Sequence, residues 1–171
     1  MDYDEVVGEF PLPIAALALR ARNAKSSKER HDLAYFGCEA SVRLAVAARP
    51  PADRSQLGQP STGHWVSALT KDDRLHAEAA LLATEQLFAE EGLGRGASPK
   101  ATTVGKLLEG MPGYRNQIIG HGAVRAPEFY EHAGDVLLAG LEAAWTTELL
   151  WPARARLVYI ESVEIDADGK R

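Results

Sequence analysis

The chain has 171 residues, of which 46% are hydrophobic and 25% charged, and its net charge at pH 7 is -5. These values fit about one globular domain and argue against a general electrostatic attraction to nucleic acid, although a local site is compatible with them. A single cysteine excludes an internal disulfide framework, and an acidic N-terminus without a long apolar stretch predicts a cytoplasmic protein outside the membrane.

The first predicted elements are two helices. One begins near Pro11 or Pro13, because proline suits a first helical turn, and runs to about Asn23. The next is capped by Ser26 or Ser27 and stops before Pro50. Its apolar face is predicted from steps of three and four, at Leu33, Phe36, Ala40, Leu44 and Ala47. Residues 49–60 are typical of a loop.

The middle of the chain is also predicted to be helical. Ser61 or Thr62 opens a short helix carrying His64, Trp65 and Leu69. A longer helix is expected from about Asp72 to Glu90, because Leu75, Leu82 and Ala89 recur at seven-residue steps. The glycine-rich residues 92–99 then predict a second loop.

Thr102 or Thr103 starts the next predicted helix, which Pro112 interrupts or kinks. Gly120 and Gly122 are natural helix terminators. The last helix is expected from roughly Pro127 to Leu150. The residues predicted on its buried side are Phe129, Ala133, Leu137, Leu141 and Ala144.

The character of the sequence changes after Pro152, where residues 157–165 are rich in β-branched side chains. We therefore expect a helical domain over residues 1–152 and a β-rich extension over 153–171. A lone strand at this place predicts either the start of a further region or strand pairing within a dimer.

The strongest chemical feature is the segment Gly113-Tyr-Arg-Asn-Gln-Ile-Ile-Gly-His-Gly122. It holds a fixed cation, Arg115, an amide, Asn116, and a group that titrates near neutral pH, His121. Six steps along an ideal helix leave two positions roughly 120° apart, so Arg115 and His121 converge only if the chain turns at Gly120. An arginine and a histidine at a helix end also have a simpler explanation, because they solvate a surface and favour the helix dipole.

This segment resembles the signature of the HEPN superfamily (higher eukaryotes and prokaryotes nucleotide-binding), in which four to six residues separate an arginine from a histidine. The resemblance implies an all-α HEPN-like bundle with, here, a short C-terminal β-strand or hairpin. It also implies a dimer that cleaves single-stranded RNA without a metal ion. In that reaction His121 is the general acid or base, Arg115 the phosphate clamp and Asn116 the orienting residue.

A second resemblance covers Phe10-Pro-Leu-Pro13, residues 23–30 and Pro60-Ser-Thr-Gly-His-Trp65. These segments are similar to N-terminal domains of large bacterial multidomain proteins, which implies downstream NTPase, kinase or sensor domains as partners. Pro112 departs from the longer uninterrupted helix that the HEPN pattern leads us to expect.

Among the other polar residues, Asp32 and Glu39 are candidates for an auxiliary acid, because a separation of seven places them on one helix face. The alternative is that they are solvated or pair with Arg43 and Arg30. The histidines and Cys38 show no ligand spacing, so we expect no metal and no cofactor, and Cys38 is predicted to be a buried small hydrophobe.

Two functions follow from these expectations. The first is an endoribonuclease effector in a bacterial antiviral-defence or toxin-like stress response. The alternative is a non-catalytic dimerisation or sensor module of a larger signalling protein.

Overall fold

The computed structural model describes residues 10–48, 61–76, 81–82, 102–120, 124–146 and 150. Most of these residues are helical, which confirms the predicted all-α class. The five α-helices within them are α1 (Leu12–Arg22), α2 (Ser27–Ala47), α3 (Thr62–Leu69), α4 (Val104–Tyr114) and α5 (Pro127–Thr146). A 3₁₀ turn (Asp73–His76) follows α3, and a π-helical turn (Arg115–Ile119), called the π-turn below, follows α4.

Local signals set the helix starts, as the sequence predicts. The Ser26 side chain accepts a hydrogen bond from the Glu29 N–H at 3.2 Å, and α2 begins at the next residue. Thr103 does the same for the Lys106 N–H at 3.3 Å before α4. Such caps satisfy backbone donors that the first helical turn leaves without partners.

Helix α2 lies at the centre of the described fold and packs on α1, α3 and α5, with its largest interface against α5. Burial of apolar surface in this arrangement is the main source of stability. The core includes Ile14 from α1, Val42 from α2, Leu69 from α3, Met111 from α4 and Leu137 from α5.

Helices α2 and α5 run in the same direction, and their C-terminal halves are closely packed. A Cβ on Gly37 would lie 3.2 Å from Leu141 Cδ2. One turn further on, the buried Ser41 hydroxyl donates to the Gly37 carbonyl at 2.8 Å and accepts from the Trp145 indole N–H at 3.1 Å. We call this region, with Cys38, the packed end of the α2–α5 interface.

The predicted apolar face of α2 is wrong in part. Leu33 is buried, but Phe36 is 48% exposed and Ala47 is also exposed. The buried side instead includes His31, Ala34, Tyr35, Cys38, Ser41, Val42, Ala45 and Val46. The reason is that α2 is covered by three helices, so its buried surface is wider than one stripe.

The predicted helix from Asp72 to Glu90 is also wrong where the structure describes it. Residues Asp73–His76 form the 3₁₀ turn, and the Asp72 carboxylate accepts from both the backbone N–H and the guanidinium of Arg74. An aspartate that bonds its own local backbone competes with helix formation. Beyond the turn, β1 (Leu81–Leu82) pairs antiparallel with β2 (Thr102–Thr103). This pairing joins residues far apart in the sequence, so local sequence patterns do not predict it.

Helix α4 continues through Pro112 to Tyr114, so the predicted interruption does not occur there. Helix α5 ends at Thr146 rather than near Leu150. Four of its predicted inner residues are buried and Phe129 is half-buried; the buried ones are Ala133, Leu137, Leu141 and Ala144.

Several predicted features lie outside the described residues: the loops at 49–60 and 92–99, Gly122 and the β-rich extension. None of the helices described is long and apolar enough to cross a membrane.

Candidate functional site

The π-turn carries two of the three predicted site residues. Its closing hydrogen bond runs from the Gly120 N–H to the Arg115 carbonyl at 2.7 Å, five residues back along the chain. A Cβ on Gly120 would lie 3.2 Å from the carbonyl oxygens of both Arg115 and Asn116, so the turn closes best with glycine. Single turns of this kind are frequent at functional sites.

Arg115 and Asn116 have exposed side chains, although Tyr114 immediately before them is buried. The two predicted auxiliary carboxylates do not hold Arg115 in an ion pair. Asp32 bonds Lys28 and His31, and Glu39 bonds other residues of its own surface. The guanidinium is therefore not committed to either of these two acids, and a planar guanidinium fork is a group that suits phosphate binding.

The third predicted site residue, His121, follows Gly120 in the chain and lies outside the described residues. Because the Gly120 N–H bonds the Arg115 carbonyl, the chain returns to within one turn of Arg115 just before His121. The i to i+5 closure holds more residues in the turn than the 3.6 of an α-helix, so Arg115–Ile119 depart from the regular helix geometry expected from the sequence.

A buried histidine links α2 to the residue that precedes the π-turn. His31 is 1% exposed, and its Nε2 lies 2.6 Å from the Tyr114 hydroxyl while its Nδ1 lies 2.8 Å from Asp32 Oδ1. A carboxylate only accepts, so Nδ1 carries the proton and Nε2 accepts from the Tyr114 O–H. Lys28 completes the chain of polar contacts with an ammonium 2.5 Å from Asp32 Oδ2.

Burial decides the protonation of this network. It lowers the pKa of His31 against the opposing effect of the Asp32 carboxylate, so the ring is neutral at pH 7. Burial also raises the pKa of the Tyr114 phenol, which stays protonated and able to donate. The network is therefore a neutral histidine held between a carboxylate and a phenol.

An open pocket of about 140 Å³ lies between α2, the π-turn and the start of α5. Lys28 and Asp32 provide its charged groups, and its apolar walls include Phe36, Ile118, Val124 and Tyr130. Val124 is 84% exposed and Phe36 is half exposed, so apolar surface continues from the pocket to its outer edge. We call this region, together with the His31 network, the pocket end of the α2–α5 interface.

The pocket and Arg115 are neighbours through Tyr35, which lines the pocket. Burial raises the pKa of the Tyr35 phenol, and the charge of Glu39 acts in the same direction while that of Arg115 opposes it. The buried Tyr35 hydroxyl has no hydrogen-bond partner among the described residues. Arg115, Glu39 and the pocket thus surround one tyrosine.

The structure separates the roles of the two auxiliary candidates. Asp32 is one-third exposed and lines the pocket, whereas Glu39 accepts from the Thr62 hydroxyl at 2.6 Å and pairs with Arg43 at 3.4 Å. The alternative pairing of Glu39 with Arg43 is present, and Arg30 pairs instead with Asp135 on α5. Glu39 therefore supports the contact between α2 and α3.

Sequence reasoning missed the His31–Tyr114 contact, which joins residues 83 positions apart. The only local indication of this network was the separation of four residues between Lys28 and Asp32, which is typical of a helical ion pair.

Cys38 is buried as predicted, and burial raises the pKa of its thiol to about 12. Within the described residues no three His, Cys, Asp or Glu side chains are grouped so that they could hold a metal ion.

Comparison of the chain with protein-family models, curated proteins and solved structures finds no match in any of the three. The HEPN resemblance therefore depends on the segment around Arg115 and His121 alone.

Proposed function

We propose that this chain is a metal-independent endoribonuclease of the HEPN type, acting on single-stranded RNA as a homodimer. In the proposed reaction a base removes the proton from a ribose 2′-hydroxyl, and the 2′-oxygen forms a bond to the adjacent phosphorus. The bond from phosphorus to the 5′-oxygen breaks, and an acid protonates that oxygen. The products are a 2′,3′-cyclic phosphate and a 5′-hydroxyl.

The three predicted residues divide this chemistry between them. His121 is the general acid or base, Arg115 binds the phosphate whose charge grows in the transition state, and Asn116 orients the histidine or the sugar. One imidazole cannot be acid and base in the same step. Two copies of His121 facing one cleft across the dimer would supply both groups.

The observation that carries the proposal is the exposure of Arg115 and Asn116 on a π-turn whose closing bond brings Gly120 back beside Arg115. A guanidinium paired with a buried carboxylate would be unable to bind a phosphate without breaking that pair. Arg115 has no such pair with Asp32 or Glu39, the two candidates for an auxiliary acid.

The test is cleavage of single-stranded RNA by the purified full chain in EDTA, with Arg115→Ala and His121→Ala beside the unchanged protein. We expect 2′,3′-cyclic phosphate ends from the unchanged protein and a loss of at least about a hundredfold in both variants. Matched controls are Arg20→Ala on α1 and His132→Ala on α5, whose side chains are exposed and outside the site.

A substrate with 2′-O-methyl groups throughout must resist cleavage, because the attacking hydroxyl is blocked. Cleavage of that substrate, or equal cleavage by the two site variants, would reject the proposed reaction. Intact RNA with a purified dimer would reject the enzyme and favour the second function below.

The second function is a non-catalytic dimerisation module of a larger signalling protein. One observation favours it: Phe36 and Val124 are both exposed and border the same pocket. Adjoining exposed apolar residues often mark protein interfaces, whereas scattered ones do not. Under this function Phe36→Ser weakens the dimer and RNA is never cleaved.

A further inference from the structure

We propose that the pocket between α2 and the π-turn binds one base of the RNA, next to the phosphate held by Arg115, and that it selects guanine. This inference rests on the proposed function, because it assigns a base-recognition subsite to the same RNA. It concerns Lys28, Asp32 and the surrounding aromatic side chains, none of which takes part in the cleavage step.

The position of the pocket fits a nucleotide whose phosphate lies at Arg115. Ile118 lines the pocket and is three residues beyond Arg115, which corresponds to roughly 4–5 Å along a helix axis. Tyr35 connects the two places, since it lines the pocket and its phenol lies close enough to Arg115 for that charge to act on it. The pocket and Arg115 are therefore neighbours, as the base and the phosphate of one nucleotide are.

The walls suit a flat ring with two apolar faces. Phe36 and Tyr130 are aromatic, and Ile118 and Val124 add aliphatic side chains to the lining of this open pocket. Stacking of a base on aromatic side chains contributes about 1–3 kcal/mol per base. The pocket volume of about 140 Å³ is below the range of roughly 300–1,000 Å³ for sites that hold whole drug-sized ligands, so one ring system is the appropriate occupant.

The polar groups of the pocket determine which hydrogen-bonding edge of a base can bind. An ionised carboxylate has about four acceptor positions, and Asp32 uses one on each oxygen, for the His31 N–H and for Lys28. One acceptor position remains on each oxygen. The His31 ring, itself bonded to Tyr114, fixes the orientation of the carboxylate.

Guanine matches this arrangement best among the four bases. Its N1–H and N2–H₂ groups are adjacent donors for the two remaining acceptor positions of Asp32. Its O6 lies beside them and accepts from Lys28, whose ammonium has three N–H groups and uses one on Asp32. Adenine and cytosine would each place a ring-nitrogen acceptor next to their amino group, facing the carboxylate, and uracil has only one donor.

Binding of the four nucleoside 3′-monophosphates to the full chain tests the inference without requiring cleavage. We expect guanosine 3′-monophosphate to bind about tenfold or more tightly than the other three, as measured by calorimetry. Asp32→Asn removes this preference. It leaves the affinities for the other three nucleotides within about twofold of those of the unchanged protein. Arg115→Ala weakens all four nucleotides together, because it contacts only the phosphate.

Two further variants keep the test decisive if Asp32→Asn unfolds. Phe36→Ala changes an exposed side chain and is expected to weaken all four nucleotides by about fivefold through lost stacking. Asp135→Asn removes an exposed carboxylate of α5 that pairs with Arg30, outside the pocket, and serves as the control with unchanged affinities.

The outcomes separate the subsite from the nuclease. Guanine preference without RNA cleavage supports the pocket and overturns the nuclease, while cleavage without any base preference overturns the pocket alone. Equal affinities for all four nucleotides, or a preference that survives Asp32→Asn, overturn the guanine site. If Phe36→Ala converts a dimer to a monomer and no nucleotide binds, a second copy of the chain covers the pocket and the inference is wrong.

Discussion

The two ends of the α2–α5 interface are built from the same pair of helices but differ in what they bury. At the packed end, Gly37 lets Leu141 approach α2, and Ser41 links its own helix to Trp145 through short hydrogen bonds. At the pocket end, Gly134 again lets α5 approach, with a Cβ there 3.4 Å from the His31 Cα, but the neighbouring side chains are polar. A glycine therefore permits close packing at both ends, against the Leu141 side chain at the packed end and against the α2 backbone at the pocket end.

The difference lies in how the buried polar groups are used. Ser41 is an uncharged group whose hydrogen bonds stay within the packed helices. His31 is titratable, and its bonds lead outward, through Asp32 to the pocket and through Tyr114 to the residue before Arg115. We infer that the packed end contributes to the stability of the fold. The pocket end instead buries polar groups that serve binding, and their burial lowers the stability of the fold.

The largest effect expected from this comparison comes from truncating the packed end. Leu141→Ala removes a buried side chain against Gly37 and is expected to lower the free energy of unfolding by about 2–5 kcal/mol. Phe36→Ala, at the outer edge of the pocket end, is expected to change it by less than about 0.5 kcal/mol. Urea unfolding of both variants measures the two values, and equal losses would break the distinction between the ends.

The second prediction concerns pH, to which only the pocket end should respond near neutrality. Burial lowers the pKa of His31 in the folded state, so the unfolded chain binds more protons below about pH 6.5. The stabilisation by neutral His31 is complete above that value and is lost as the pH falls through the folded-state pKa. Asp32 and Lys28 on α2 and the phenols of Tyr114 and Tyr130 are the ionisable groups beside the ring.

His31→Phe keeps an aromatic ring but removes the titrating group and the bond to Tyr114, at a cost of about 1–3 kcal/mol at pH 7.5. Its free energy of unfolding should vary less between pH 7.5 and 5 than that of the unchanged protein. Ser41→Ala at the packed end is expected to lose a similar amount at every pH in that range. A steeper pH dependence in Ser41→Ala than in the unchanged protein would contradict the assignment.

Local features of the fold were accessible from the sequence because neighbouring residues determine them. Ser26 and Thr103 cap their helices within three residues, and the helix starts were predicted to within a residue or two. The inner face of α2 was not accessible in the same way, because contacts with three other helices decide whether Phe36 or Tyr35 is buried. Apolar residues on several faces leave that choice to tertiary packing.

The candidate site also has one part that local sequence predicts and another part that depends on tertiary contacts. Arg115 and Asn116 could be selected from their chemistry and spacing, and their exposure on the π-turn is consistent with a role in binding. The pocket end of the α2–α5 interface could not be predicted in this way, since it requires His31 on α2, Tyr114 on α4 and Tyr130 on α5 to meet. Asp32 was chosen as a candidate auxiliary acid, whereas our further proposal assigns its carboxylate to the recognition of a base.

Small effects on stability are expected from alanine at two glycines on either side of Arg115. They sharpen the comparison because they separate stability from function beside the pocket. Gly113→Ala places a Cβ in open space within α4 and is expected to raise the free energy of unfolding by about 0.5–1 kcal/mol. Gly120→Ala places a Cβ 3.2 Å from two backbone carbonyl oxygens, which cannot move as a side chain can, and is expected to cost about 1 kcal/mol.

Activity should follow the π-turn rather than the stability. Because Gly120→Ala widens the turn that presents Arg115, we expect it to reduce RNA cleavage at least tenfold at a temperature where the chain is fully folded. Gly113→Ala should leave cleavage unchanged despite its greater stability. If both alanine variants cleave RNA as the unchanged protein does, the close approach of Gly120 to Arg115 has no part in positioning the guanidinium, and the π-turn is only the end of a helix.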